Sequence, residues 1–212
     1  MISFYIARHG ETLLNSLNRA QGWSDSPLTD NGKRTSEELG IKLKDIVFSA
    51  AYTSDMLRAV QTAKLILSAS GNNDIIPQKD VRLREWCLGS MEAEYNSTFI
   101  ASVSDWLGGI TSFAELNKRL PDVAMAIYEH DTTGMAEPFT DISNRLINAL
   151  VDIAHNTPLN DNSNILVVTH AFVIKTLFYL FAPEKLYTMS KLNNAIFLKL
   201  LYDGNSFVFE KT

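Results

Sequence analysis

Apolar positions along the chain fall into two patterns. Three runs are short, continuous and rich in β-branched and aromatic side chains: "ISFYIA" (2–7), "IVFSAAY" (46–52) and "NILVVT" (164–169). This is the pattern of strands covered on both faces. Other stretches repeat apolar positions at helical spacing. Thr29 is a suitable N-cap and Asp30 suits the positive end of a helix dipole, so a helix is predicted from there to about Leu43. Met56, Ala59, Val60, Ala63, Ile66 and Leu67 predict a second helix, capped by Ser54 or Asp55. "DIIPQ" and "VRLRE" predict a short edge piece and a strand end. "DISNRLINALVDIAHN", with Thr140 as its N-cap, and "AFVIKTLFYLF" predict two more helices, and "AIFLKLLY" and "SFVFE", split by "DGN", a terminal hairpin.

Strands alternating with helices predict an α/β domain with a mostly parallel central sheet. From Met91 to Pro138 the pattern changes: helical pieces "TFIASVSDWL" and "PDVAMAIYEH" are separated by "GGITS" and "TTGMAEP", without a strong strand. The chain is therefore expected to be one domain over 1–212, with a helical insertion at 91–139. Ligands of such sheets collect at the carboxyl ends of the strands. The polar packet that follows the first strand and the "THA" at 169–171 meet at that edge.

Composition narrows the class without naming a function. The chain is 46% hydrophobic and 20% charged, ordinary for a globular enzyme or binding domain. A net charge of −5 argues against nucleic-acid partners, while a small anionic ligand would sense only local cations. "ISFYIA" has no basic leader before it, and the long apolar stretch 165–182 is broken by His170 and Lys175, so neither secretion nor a membrane span is expected. The lone Cys87 permits no internal disulfide and fits a reducing cytoplasm.

The candidate chemistry lies at the sheet edge. Arg8 and His9 leave the first strand, Arg58 sits in the first turn of a helix, Glu85 follows "VRL", and His170 follows "NILVVT". Two guanidinium groups suit a phosphoryl group, two histidines can supply a nucleophile and a donor, and one carboxyl can move a proton. Taken singly, each has a plainer explanation: a solvated loop, a satisfied core histidine, a salt-bridged strand end, a surface helix residue. Four such coincidences at one edge are less credible together.

"RHGET" with Asn15, then "QGWSDSPLTDNG", "SDMLRAVQTA", "LREWCLG" and "VVTHA" resemble, in order, the motifs of the histidine phosphatase superfamily (phosphoglycerate mutase-like). The resemblance implies a three-layer α/β/α fold with the insertion over the active site. It implies His9 as a nucleophile that becomes phosphohistidine, with Arg8, Arg58, His170 and Asn15 holding phosphoryl oxygens. Glu85 would be the proton donor and then the acceptor from water, and Gln21 and Gly22 would contact substrate. No metal or organic cofactor is implied, and the expected partner is a small-molecule phosphate ester. Two departures stand out: Ala171-Phe172 replaces the usual Gly-Gly, and Glu137-Pro138-Phe139 replaces Gly-Glu-Ser.

Mutases of this family follow the glutamate with Arg and a Tyr and carry paired arginines in the insertion. Here Trp86, Cys87 and Leu88 follow Glu85, and Lys118-Arg119 stand where the pair would be. A phosphatase closest to the broad-specificity branch is therefore expected, with a mutase-type phosphotransferase and a catalytically silent phospho-ligand binder as alternatives. Trp86, Trp106, Phe99 and Tyr95 could line the pocket and favour an apolar or aromatic leaving group.

Overall fold

The computed structural model describes residues 1–109, 113–157, 163–187 and 192–210. Its centre is a six-stranded sheet in the order β3-β2-β4-β1-β5-β6. β1 (Ile2–Arg8), β2 (Ala50–Thr53), β3 (Gln78–Lys79) and β4 (Ser163–Thr169) run parallel, while β5 (Phe197–Tyr202) and β6 (Phe207–Phe209) form an antiparallel hairpin on one side.

Both faces of the sheet are covered. Ile2, Phe4 and Ile6 of β1 enter one apolar cluster, and the alternate residues Tyr5 and Ala7 enter another, as a two-residue side-chain period requires. Helices α2 (Asp30–Lys42) and α3 (Leu57–Ala69) cover the second face through Leu39, Ala59, Ala63 and Ile66. α7 (Phe139–Asn156) and α8 (Ala171–Phe181) cover the first through Leu146, Leu150, Ile174 and Leu177. Each of the fully buried Leu and Ile side chains contributes roughly 1.5–3 kcal/mol. A one-turn helix, α1 (Leu13–Ser16), follows β1.

Between Met91 and Pro138 lie α4 (Asn96–Trp106), α5 (Phe113–Lys118) and α6 (Leu120–His130), and no strand among the described residues. Phe99, Val103, Leu120, Val123 and Ile127 pack into the same cluster as α7 and α8. α9 (Pro183–Tyr187) precedes the hairpin.

Local chemistry corrects four element boundaries. The second strand covers only Ala50–Thr53, because at its expected start Val47 is 79% exposed and the Phe48 N–H goes to the Asn72 side chain. Neither Ser54 nor Asp55 caps α3: Ser54 is committed to His170 and Asp55 to Arg84. The cap comes from another loop, Asp25 Oδ2 accepting the Leu57 N–H (2.6 Å). "VRL" is a 3₁₀ turn opened by Asp80, which accepts from Arg82 N–H, and not a strand end. α7 begins at Phe139 with Pro138 in the cap position, so Thr140 lies inside the helix.

Candidate active site

Adjacent parallel strands set the site. Arg8 of β1 is in register with Thr169 of β4, and the His9 N–H donates to the Thr169 carbonyl (3.0 Å). His9 and His170, the next residue on each strand, therefore emerge side by side, with ring centroids 5.2 Å apart and planes at 57°. Gly10 follows because there is no room for more: a Cβ there would meet the Gly32 carbonyl oxygen at 2.5 Å and Ser36 Oγ at 2.6 Å.

The protonation pattern of His9 follows from its partner. A carbonyl only accepts, so the contact of Nδ1 with Gly10 O (2.8 Å) places the hydrogen on Nδ1 and leaves a lone pair on Nε2. Burial, then the nearby Arg58 and Arg8 charges, hold the ring well below the usual histidine pKa. His170 is driven down likewise, by burial and then by Arg58. Its Nε2 meets Ser54 Oγ at 2.7 Å, and its Nδ1 has no partner among the described residues.

Arg58, in the first turn of α3, is fully buried. Its Nη1 donates to Ser24 O (2.8 Å) and Asp25 Oδ1 (3.0 Å), and its Nη2 to Gly22 O (2.6 Å). Arg8 donates from Nη1 to the Leu192 carbonyl, and burial lowers its pKa to about 10. Arg8 Nε and Arg58 Nε, like His170 Nδ1, are buried without a partner among the described residues. Each unsatisfied buried donor costs roughly 1–3 kcal/mol, so three electrostatic neighbours of one another beside His9 are a substantial cost.

Glu85 faces this group across the edge. It is buried, and its Oε1 accepts from Trp86 N–H and Val173 N–H (both 3.1 Å) while Oε2 accepts from Phe172 N–H (3.0 Å). The carboxyl thus sits on the first turn of α8. Burial raises its pKa, and these N–H groups, Arg58 and Arg8 oppose the rise.

A cleft of ≈ 460 Å³ opens onto these groups, and Arg8, His9, Asn15, Gln21 and Glu85 line it. Asn15 Oδ1 accepts from Thr12 N–H and from Asn194 Nδ2 (both 3.3 Å). Gln21 Oε1 accepts from Thr12 Oγ1 (2.7 Å). Arg58 and His170 are fully buried and do not line the cleft. Gly22 does not line it either; its carbonyl holds Arg58, and its N–H donates to Glu92 (3.1 Å). Of the expected aromatics Phe99 lines the cleft, while Trp86 is buried on Thr176, Trp106 stacks on His130 and Tyr95 lies exposed under Arg19. Phe172, where the family usually has Gly, reaches the cleft wall.

Several residues at the site carry no motif signal. Glu92 accepts from the N–H groups of Gly22, Trp23, Ser24 and Leu88 (2.6–3.1 Å), fixing the loop whose carbonyls hold Arg58. Arg145 forks onto Glu137 (2.8 and 2.9 Å) and donates to the carbonyls of Arg82, Arg84 and Glu85. The residue that departs from Gly-Glu-Ser thus braces the segment carrying Glu85. Arg19 and Lys175 also line the cleft; the cue for Lys175 was a lone charge in the apolar helix "AFVIKTLFYLF". No cluster of three or more His, Cys, Asp or Glu side chains among the described residues is placed to hold a metal ion, and no described helix is long and apolar enough to cross a membrane.

Comparison with known proteins places the chain. The family model for the histidine phosphatase superfamily (branch 1) matches residues 4–212. The chain is 30% identical over 177 residues to a probable phosphoglycerate mutase GpmB of Erwinia tasmaniensis, covering 84% of this chain and 73% of that one. A crystal structure of phosphoglycerate mutase from Bacillus anthracis superposes with a TM-score of 0.90 at 34% identity, covering 100% of this chain and 92% of the other. A phosphoserine phosphatase from Entamoeba histolytica, solved with 3-phosphoglyceric acid, shares the fold at a TM-score of 0.70 and 22% identity, covering 100% and 96%.

Proposed function

The chain belongs to the histidine phosphatase superfamily, and on that premise we propose that it is a phosphatase hydrolysing small-molecule phosphate monoesters through a phosphohistidine at His9. The observation that carries the reading is the set of unpartnered buried nitrogens, Arg8 Nε, Arg58 Nε and His170 Nδ1, beside a neutral His9 whose Nε2 lone pair is free. Such donors match the equatorial oxygens of a phosphoryl group.

In the first step His9 Nε2 bonds to phosphorus as the ester P–O bond breaks. Arg8 and Asn15 hold non-bridging oxygens from the cleft wall, and the unpartnered Arg58 Nε and His170 Nδ1, buried beside His9, complete the set as the phosphoryl group enters. Glu85 gives its proton to the leaving oxygen, a role supported by a pKa that burial raises. In the second step water attacks phosphorus, Glu85 takes its proton, and the P–N bond returns its electron pair to His9. Gln21 lines the same cleft, and Gly22 acts through Arg58. Neither step needs a metal or organic cofactor. The chain is taken as one domain whose residues 91–139 cover the cleft, working in the cytoplasm.

A mutase-type transfer through the same histidine is the second reading, favoured by the names of the relatives at 30% and 34% identity. The cations that a bisphosphorylated intermediate would need are not Lys118 and Arg119, which are exposed and outside the cleft with Arg119 paired to Asp122; the cleft offers Arg19 and Lys175 instead. The test is a panel of phosphomonoesters, including 3-phosphoglycerate with and without its bisphosphorylated cofactor, given to the protein and to His9→Ala. Release of inorganic phosphate that vanishes in His9→Ala is expected. Isomerisation without release would establish the mutase, and no turnover would leave a phospho-ligand binder.

A further inference from the structure

Three neighbouring strands, β2, β4 and β1, end in a row at the carboxyl edge of the sheet, and Ser54, His170 and His9 are the residues that leave them. Thr53 pairs with Val168, which puts Ser54 one position behind His170. In the sequence Ser54 suits a cap for α3, yet Asp25 supplies that cap and the serine serves no helix. It is fully buried; its N–H donates to the Val168 carbonyl (3.3 Å), and its own carbonyl accepts from Thr53 Oγ1 (3.0 Å). The hydroxyl remains, and it lies 2.7 Å from His170 Nε2.

The direction of that hydrogen bond decides what His170 can do. Were Nε2–H the donor, the buried hydroxyl hydrogen would need another acceptor, and Ser54 has none among the described residues. Nδ1 would then carry a lone pair, useless towards phosphoryl oxygens that only accept. With the hydroxyl donating to Nε2, its hydrogen is placed and Nδ1 carries the N–H. Burial and then the Arg58 charge hold the ring well below the usual histidine pKa, so the tautomer decides whether His170 donates. His9 has the same tautomer by another route, its Nδ1–H meeting the Gly10 carbonyl, but its use is the reverse. His9 offers a lone pair, whereas His170 offers a hydrogen.

We propose that Ser54 is a positioning residue whose hydroxyl donates to His170 Nε2 and so fixes the ring hydrogen on Nδ1, where it meets a phosphoryl oxygen. The proposal rests on the phosphatase reading for the occupant of the site, since a bound phosphoryl group is what the Nδ1–H would serve. Ser54 acts through His170 and takes no part in bond making.

The test reads the tautomer directly. In protein labelled with ¹⁵N-histidine, long-range ¹H–¹⁵N correlation distinguishes protonated from bare ring nitrogens, and His170→Asn identifies the His170 signals among the four histidines. The free parent protein at neutral pH should show His170 protonated at Nδ1 and bare at Nε2. Ser54→Ala should move the ring towards the Nε2–H form, and Ser54→Thr, which keeps a hydroxyl, should not. Affinity for orthovanadate, a phosphoryl mimic, and kcat/KM on phosphomonoesters should both fall about 10–100-fold in Ser54→Ala, the cost of removing a partner that orients a metal-bound histidine. Both should recover in Ser54→Thr. Thermal melting checks that each variant is folded, and the parent spectrum decides the tautomer without them. A parent ring protonated at Nε2, alone or together with Nδ1, would overturn the proposal. So would a folded Ser54→Ala protein that keeps the parent tautomer, or one that changes it without weakening orthovanadate. Orthovanadate binding that depends on Ser54, with no ester turned over, would instead retain the serine's role and reject the phosphatase.

Discussion

At the residue scale Glu85 is pulled two ways. Two backbone N–H groups at the start of α8 and that of Trp86 favour its charged form, and burial favours the neutral one that a proton donor needs. Burial dominates, so the acid form should persist to higher pH than in free glutamic acid. Turnover of alkyl phosphates, whose leaving oxygens are poor, should fall as pH rises through that raised pKa. Glu85→Gln should lower kcat on alkyl phosphates about 10²–10⁴-fold and remove this limb of the profile. In kcat/KM, which reports formation of the phosphoenzyme and not its hydrolysis by water, it should cost far less on 4-nitrophenyl phosphate, whose leaving group needs no proton. Equal losses on both substrates would remove Glu85 from that role. His9, Glu85 and His170 were legible because their residue types and strand-end positions indicate chemistry. Lys175 and Arg19 were not, since the chain alone does not say which helical cations turn into a cleft.

Among the elements, β1, β4, α2 and α8 follow closely from continuous apolar runs or helical spacing. The misassigned cap of α3 has a plain physical origin: side chains that suit local caps are engaged at long range. Ser54 and Asp55 read as caps of α3 but serve His170 and Arg84, and Asp25 does the capping from 32 residues away. The brace under Glu85 is of the same kind. Arg145 from α7 reaches the carbonyls of residues 82, 84 and 85 only because Glu137 holds its guanidinium, with both side chains less than a fifth exposed. Glu137→Ala should lower stability by about 1.5–3 kcal/mol, the range for a lost hydrogen bond to a charged group. It should also reduce kcat about tenfold on alkyl phosphates by loosening the Glu85 backbone. Urea unfolding paired with steady-state kinetics checks both, and unchanged kcat would make the Arg145–Glu137 pair a stability feature alone.

The molecule as a whole gathers cations at one edge of its sheet. A chain of net charge −5 gathers Arg8, Arg58, Arg19 and Lys175 around one region, so an anionic substrate senses local cations more than the total. Parallel pairing of β1 with β4 is what brings His9 to His170 across 160 residues of chain, and the alternation of strands and helices announced that arrangement. The covering of the cleft by α4 was less legible, because its apolar positions serve both the core (Phe99, Val103) and the cleft wall (Phe99, Ile100). The central claim is that His9 carries the phosphoryl group between substrate and water. Rapid acid-free quenching of the protein mixed with a ³²P-labelled phosphomonoester tests it directly, with peptide mapping of the labelled site. The account predicts a base-stable, acid-labile phosphoenzyme on His9 that forms and decays at rates compatible with turnover and is absent in His9→Ala. Phosphate release with no label on His9 would contradict it.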